Sequence, residues 1–359
     1  MINKRFAHLV GSMPFKDEKT AMTKALKYLD GHLKALPDGE IGKKSNRHQF
    51  GERLGWIQWV IERFENNPAF MIVKAPSYEN RLGLWADYDS GIRYKLKLSG
   101  DNLYQFLDFG YMEYFKSSYK LFKKLRDKQR NKQLKFQFGI PGALAISVFS
   151  LGLIQGIRTR KVFEDRLAYE CNRIYESGGE DILFQIEVPI ELGIYLKAPA
   201  VIKPLVLRWA VGNILSLVNK LNKNARVGVH LCLGDLNNRP FSKIRNLGSL
   251  VAFSNELVRQ WPKDRPLDFV HYPLAMANVP PSVNPTFYSP LKKIKLPADT
   301  RFIAGFVHED LSEHQEEGIL SAIEKNLGRT VDVSSSCGFG RRTPEITEKL
   351  LKDTSHLVA

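Results

Sequence analysis

Three cysteines in 359 residues cannot all pair, and no dense spacing links them, so a disulfide scaffold is excluded. No run of eighteen apolar residues occurs, which leaves no candidate for a transmembrane helix. Acidic residues are scarce: 38 Asp and Glu stand against 53 Lys and Arg, for a net charge of +15. That balance invites a nucleic-acid reading. Against it, no zinc-finger, homeodomain or RNA-stacking motif is present, and the cations are spread along the chain. The densest cluster, 116–135, reads as one basic helix followed by a turn. The excess is therefore read as a solvated face, one that favours an anionic substrate or an acidic partner by long-range attraction. Missing too is a signal-peptide core, since Met1-Ile2-Asn3-Lys4-Arg5 runs straight into a strand-like segment. A reducing cytoplasm is the expected location.

What is present is an ordinary globular composition, 43% apolar and 25% charged, which suits one large barrel or two smaller domains. Short β-branched or aromatic runs alternate with helical periodicity. Strands are expected over 6–10, 33–37, 134–138, 182–186, 227–231, 267–272, 302–307 and 330–334. The clearest helices fall at 16–29, 163–175, 203–221, 250–261, 313–327 and 344–351. Eight strands with helical crossovers predict a (β/α)₈ TIM barrel filling 1–359 as a single domain. Residues 70–98 break the rhythm with two strand-like runs, the second alternating lysine with apolar residues. They read as a β-hairpin insertion after the second strand, either covering the site or lying on the surface.

Catalytic groups of this barrel stand at the carboxyl ends of its strands. Here those ends carry Ser12, Asp38 with Glu40, Gly139-Ile140-Pro141-Gly142, Gln185 with Glu187, His230 with Cys232, His271, His308 with Glu309, and Cys337. Any one alone is weak; their recurrence is the signal. In His230-Leu231-Cys232 the strand period of two puts both side chains on one face. A histidine nitrogen and the thiolates of Cys232 and Cys337 suit zinc, with one position left for substrate. Cys171, inside a helical stretch, reads as a small buried hydrophobe.

These segments resemble the catalytic carboxyl-terminal barrel of cobalamin-independent methionine synthase and its shorter single-barrel relatives. Val10-Gly11-Ser12-Met13-Pro14 is similar to the family's Ile-Gly-Ser-Phe-Pro, and Asp38-Gly39-Glu40 to an Asp-Gly-Glu of the short relatives. Gln185-Ile186-Glu187-Val188-Pro189 is similar to Gln-Ile-Asp-Glu-Pro, with glutamate in place of the first acid. Phe306-Val307-His308 resembles Asp-Ile-His, and Cys337-Gly338-Phe339-Gly340-Arg341-Arg342 resembles Cys-Gly-Leu-Lys-Thr-Arg. The resemblance spans essentially the whole chain. It implies zinc on His230, Cys232 and Cys337, substrate contacts from Gly11, Ser12, Asp38, Glu40, Gln185 and Glu187, and a catalytic His308. Asp38 either touches substrate or only tightens the turn before Gly39. Where the family has a glutamate ligand at the end of strand six, this chain has Pro273. His271, two residues earlier on the same face, either replaces that ligand or only hydrogen-bonds in the pocket. The tryptophan used against folate after strand three is replaced by Ile146-Ser147-Val148-Phe149, and the family's amino-terminal barrel is absent.

The expected activity is transfer of a methyl group to a zinc-held thiol of a homocysteine-like acceptor, without methyl-folate. A free thiol near pKa 8.5 is mostly protonated at neutral pH, and coordination removes that proton. Two cysteinates and one histidine leave the metal nearly neutral, which keeps a substrate sulfur electron-rich. His308 would relay a proton, as a group titrating near neutrality can. A donor bound by one barrel must be small or arrive on a carrier such as a corrinoid protein. Neither nucleic acid nor a membrane is an expected partner. Two rivals stand beside this reading. One is a metal-free decarboxylase or lyase whose Arg341 and Arg342 clasp carboxylates; the other is a non-catalytic barrel that binds an anionic partner.

Overall fold

The computed structural model describes residues 4–79 and 82–359; of the segments just read, Met1–Asn3 and residues 80–81 of the insertion lie outside it. Among the described residues eleven strands form: β1 (Ala35–Leu36), β2 (Phe70–Lys74), β3 (Tyr78–Glu79), β4 (Leu84–Trp85), β5 (Arg93–Leu96), β6 (Lys135–Pro141), β7 (Ile182–Glu187), β8 (Arg226–His230), β9 (Leu267–Pro273), β10 (Arg301–Val307) and β11 (Asp332–Ser335). Seven of them make one curled parallel sheet in the order β1-β6-β7-β8-β9-β10-β11. Each strand of that sheet lies beside its predecessor in the sheet, with helices in most crossovers, as the strand-helix rhythm predicts. The longer helices bury one stripe each: Glu18–Leu29, for example, turns Ala21, Met22, Ala25, Leu26 and Leu29 inward. Asp17 caps it by accepting the Thr20 amide, and Ser312 with Gln315 forms a capping box on Glu313–Leu327. The basic cluster is largely the helix Tyr111–Gln129, whose Lys116, Lys120, Lys123 and Lys124 are exposed. No helix among the described residues is long and apolar enough to cross a membrane.

The eighth strand, expected over 6–10, does not form. That segment makes only isolated bridges at Ala7, to Leu33 on one side and Val333 on the other. The physical reason is competition for its carbonyls. Gln137 Nε2 donates to Leu9 O (2.7 Å) and Val10 O (2.9 Å), and Gln185 Nε2 donates to Val10 O (2.7 Å). Side-chain amides from β6 and β7 thus take the acceptors that a ladder would use. The chain then turns into Gly11-Ser12 instead of continuing along the sheet.

The excursion at 70–98 is present and more elaborate than a single hairpin. β2 and β5 pair antiparallel, and a second small ribbon, β3 with β4, is nested between them in sequence. Its end is clamped onto the loop after β8. Asn237 Nδ2 donates to Trp85 O (2.7 Å), and Leu236 N donates to Tyr88 Oη (2.9 Å).

Inside the sheet's curve, glycines leave the volume that large side chains occupy. A Cβ at Gly228 on β8 would overlap the fully buried Phe269 ring of β9. Gly228→Ala should therefore cost about 1–3 kcal/mol through overpacking. Gly212→Ala, on the helix Lys203–Lys220 with nothing within 4 Å of the added carbon, should be neutral or stabilising by about 0.5–1 kcal/mol. Urea unfolding midpoints of the two variants check the contrast.

Candidate functional site

Parallel register puts three of the expected site residues in one row. Glu187 of β7 pairs with His230 of β8, and His230 pairs with His271 of β9. Both histidines are fully buried. His271 Nε2 lies 2.9 Å from Ser335 O, a carbonyl that can only accept, so this nitrogen carries the proton. Burial holds the His271 pKa down to about 4, hence a neutral ring whose Nδ1 is an acceptor. That acceptor lies 2.7 Å from His230 Nδ1, which must be the donor. Burial also holds the His230 pKa well below its usual value. The lone pair of His230 is therefore on Nε2, and Nε2 is a buried nitrogen without a hydrogen-bond partner.

Cys232 and Cys337 gather beside the His230 ring. One ligand atom from each of His230, Cys232 and Cys337 lies within 4.8 Å of the others. Cys232 is two residues past His230, just beyond β8. Cys337 follows β11 in a turn where Ser335 Oγ donates to Cys337 O (2.6 Å). The Cys232 Sγ accepts the Gly234 amide at 3.3 Å. The thiols interact directly: the hydrogen bond from Cys232 pulls the Cys337 pKa down, and that same bond together with burial pushes Cys232 up. A neutral imidazole nitrogen with no partner, converging with two thiols, is a donor set that fits zinc. Of the two roles open to His271, fourth ligand or hydrogen-bonding partner in the pocket, the geometry fits the second. Both its nitrogens are engaged, and it stands behind His230 as the group that sets its tautomer.

The carboxylate side is built by a turn. Gly39 has φ +88°, a conformation open to glycine, and a Cβ there would lie 2.6 Å from Ala21 Cβ. Glu40 follows with φ +49°. Asp38 holds this turn: it accepts the Glu40 amide (3.0 Å), Ser118 Oγ (2.6 Å) and Arg53 Nη1 (2.6 Å). Burial opposes ionisation of Asp38, but Arg53 and these hydrogen bonds outweigh it and hold its pKa down. Both oxygens of Asp38 are thus engaged by the turn, the second of its two expected roles, and Asp38 does not line the cavity. Glu40 is carried inward, where added Cβ atoms at Gly11 and at Gly139 would each lie 2.7 Å from its Oε1. Gly11 therefore contributes space, not a ligand contact. The same carbon at Gly139 would sit 3.3 Å from Glu187 Oε1, so the two carboxylates share one corner. Burial raises Glu40 to about 7, and burial with the neighbouring Glu40 raises Glu187 well above its usual value.

A cavity opens onto these groups, and it is lined by Ser12, Glu40, Glu187, Asp235, Cys232, Cys337 and Arg341. Ser12 Oγ accepts Arg341 Nη1 at 3.0 Å, and Arg341 Nε is buried without a partner. Arg342, by contrast, is spent: its Nε donates to Glu309 at 2.9 and 3.1 Å, and its Nη1 lies 3.5 Å from Asp235. Of the two arginines named for the lyase reading, Arg341 thus faces the cavity and Arg342 is taken up by Glu309 and Asp235.

Two further expected site residues stand outside the cavity. Gln185 spends its amide on Val10 O, Glu187 and His8. His308 donates from Nε2 to Ala277 O (3.0 Å) and accepts the Asp310 amide at Nδ1 (3.2 Å), so neither nitrogen is open for the expected proton relay. Conversely, Trp56, Trp85, Tyr88, Phe149 and Asp235 line the cavity without having been singled out as site residues. Trp85 and Tyr88 belong to the 70–98 excursion, which therefore covers the site.

No protein-family model matches the chain, and no curated protein sequence does. The fold is similar to that of a B12-independent methionine synthase from Shewanella sp. W3-18-1, whose structure was solved in complex with selenomethionine. The TM-score is 0.54 at 13% identity, over 95% of this chain and 86% of that one. A looser match is a methyltransferase from Methanosarcina mazei, with TM-score 0.46, 12% identity and coverage of 99% and 95%. At such identities the likeness is one of fold.

Proposed function

We propose that this chain is a zinc-dependent methyltransferase that methylates the thiol of a homocysteine-like amino acid and does not use methyl-folate. The observation that carries the reading is the unpartnered, buried Nε2 of His230 converging with the Cys232 and Cys337 thiols. These three residues would hold the metal, and when bound it supplies the Lewis acidity that keeps a substrate thiol as its thiolate at neutral pH. The fold likeness to a methionine synthase supports the same chemistry, as does the run of family-like segments around the cavity.

The remaining roles belong to the protein's own side chains. Glu40 and Glu187 share a buried corner and need a cation to offset their repulsion; a substrate ammonium fits it. Arg341, donating to Ser12 and otherwise unpaired at Nε, faces the same cavity and suits the substrate carboxylate. Held at both ends, the amino acid has its sulfur directed toward Cys232 and Cys337, which converts a bimolecular encounter into a positioned one. With Phe149 in the cavity wall and no tryptophan in the 146–149 segment, the donor is one that the cavity itself accommodates.

Cys232→Ser and Cys337→Ser should each lose most of the zinc while the protein stays folded. His271→Phe, which removes only the acceptor behind His230, should weaken zinc by roughly 10–100-fold. Metal analysis and competition with a chromophoric chelator measure both. Wild-type protein that neither carries zinc nor takes it up would sink the proposal.

Glu40→Gln should weaken amino-acid binding by about 2–5 kcal/mol with zinc content intact, since it removes one partner of a buried charge pair. Binding needs the ionised carboxylate. A carboxyl group raised to about 7 is increasingly protonated below that value, so affinity for the ammonium should rise as pH climbs through about 7 and fall away in acid. KM measured against pH for wild type and Glu40→Gln checks both; an unchanged profile in the variant would reassign the ammonium site.

A further inference from the structure

Four aromatic side chains line the cavity: Trp56, Trp85, Tyr88 and Phe149. They come from three separate parts of the chain, and the fold takes trouble to bring them together. Trp56 begins the short helix Ile57–Glu62 with φ +54°, an unusual backbone for a bulky residue. Trp85 ends the nested ribbon, with its amide given to Gln58 Oε1 (3.0 Å) and its carbonyl taken by Asn237 (2.7 Å). Tyr88 is pinned through its hydroxyl, which accepts the Leu236 amide and donates to Arg239 O (3.1 Å). Its ring lies 6.4 Å from Phe149 at 28°, and Phe241 backs it at 5.0 Å. The indole nitrogens of Trp56 and Trp85 are buried without partners, so these rings are not there for their polar ends.

The same cavity holds three carboxylates, Glu40, Glu187 and Asp235, against one guanidinium, Arg341. In a chain with a net charge of +15, this is an acidic, aromatic-walled pocket. An amino-acid substrate brings one ammonium and one carboxylate, and so leaves that acidic excess in place. Asp235 is the group left over: its Oδ2 lies 3.5 Å from Arg342, while its Oδ1 is buried with no partner. Aromatic faces beside a carboxylate with one unpartnered oxygen attract a permanent cation that carries its charge on methyl groups.

We propose that the methyl donor is a small onium compound, a quaternary ammonium or a sulfonium, seated among Trp56, Trp85, Tyr88 and Phe149 with Asp235 as counter-charge. The inference rests on the thiol-methylation reading above and names its donor class. The step balances without any further reagent. The thiol proton leaves to solvent, and the sulfur lone pair forms the S–CH₃ bond as the donor's C–N or C–S bond breaks. The donor keeps the bonding pair and departs as a neutral tertiary amine or thioether. A thioether product has lost its charge and with it the attraction to the rings and to Asp235, which favours its release; a tertiary amine regains a charge only by taking up a proton.

Binding and turnover separate the two claims. Tryptophan fluorescence and calorimetry on zinc-loaded wild-type protein would compare choline with its uncharged carbon isostere, 3,3-dimethylbutan-1-ol. Choline should bind roughly tenfold or more tightly. Glycine betaine and dimethylsulfoniopropionate, tried in parallel, distinguish ammonium from sulfonium. Trp85→Leu should lose most of that preference and Trp85→Phe should keep part of it, with zinc content unchanged in both. Equal binding of choline and the isostere would overturn the onium pocket, whatever the fate of the variants. Selective choline binding with no methyl transfer to homocysteine from either onium donor would overturn the donor assignment. If another donor then methylated homocysteine, the thiol-methylation reading would stand; if none did, that reading would fall too.

Discussion

The hydrogen bond between the Nδ1 atoms of His230 and His271, 2.7 Å long and sealed from solvent, is the constraint on which the rest of the site depends. It has meaning only because Ser335 O fixes the far nitrogen of His271 as a donor. Proton positions then propagate across three strands, β11 to β9 to β8, and end at one unshared lone pair on His230 Nε2. A water-exposed histidine would sample both tautomers. Here burial and neutral rings leave one arrangement, so a potential metal ligand is oriented before any metal arrives.

The interior of the curled sheet is arranged to tolerate this polarity. Gln137 and Gln185 bridge the carbonyls of Leu9 and Val10, which would otherwise be unsatisfied where the ladder stops. The same substitution of side-chain amides for a strand partner releases Gly11-Ser12 to bend over the cavity mouth. Glycines at 228 and 305 clear volume for Phe269 and for the His271 ring. Fold and site are thus one construction: the eighth strand is given up where the Ser12 wall is needed.

Charge inside the cavity runs opposite to charge outside it. The surface cations on Tyr111–Gln129 and elsewhere are solvated, whereas Asp38, Glu187 and Asp235 are buried and Glu40 is half-buried. Of these, Asp38 is neutralised by Arg53 and spends itself on the turn geometry that delivers Glu40. The structure therefore separates the Asp38-Gly39-Glu40 segment into a positioning acid and a presenting acid. That division of labour is invisible in the residue names alone.

Local chemistry made much of the protein legible in its sequence. β-branched runs and amphipathic spacing located seven parallel strands within a few residues, because burial on both faces leaves a continuous apolar signature. His-X-Cys announced a shared strand face because the period of two is a property of the backbone. Only the tertiary structure decided what depends on contacts distant in sequence. It placed His271 behind His230 instead of beside the thiols, closed both nitrogens of His308, and spent Arg342 on Glu309 and Asp235. It also swung Trp85 and Tyr88 from an insertion onto the cavity wall. A residue type says what a side chain is able to bind; which of its atoms remain free is settled by neighbours that the chain brings up from a hundred or more residues away.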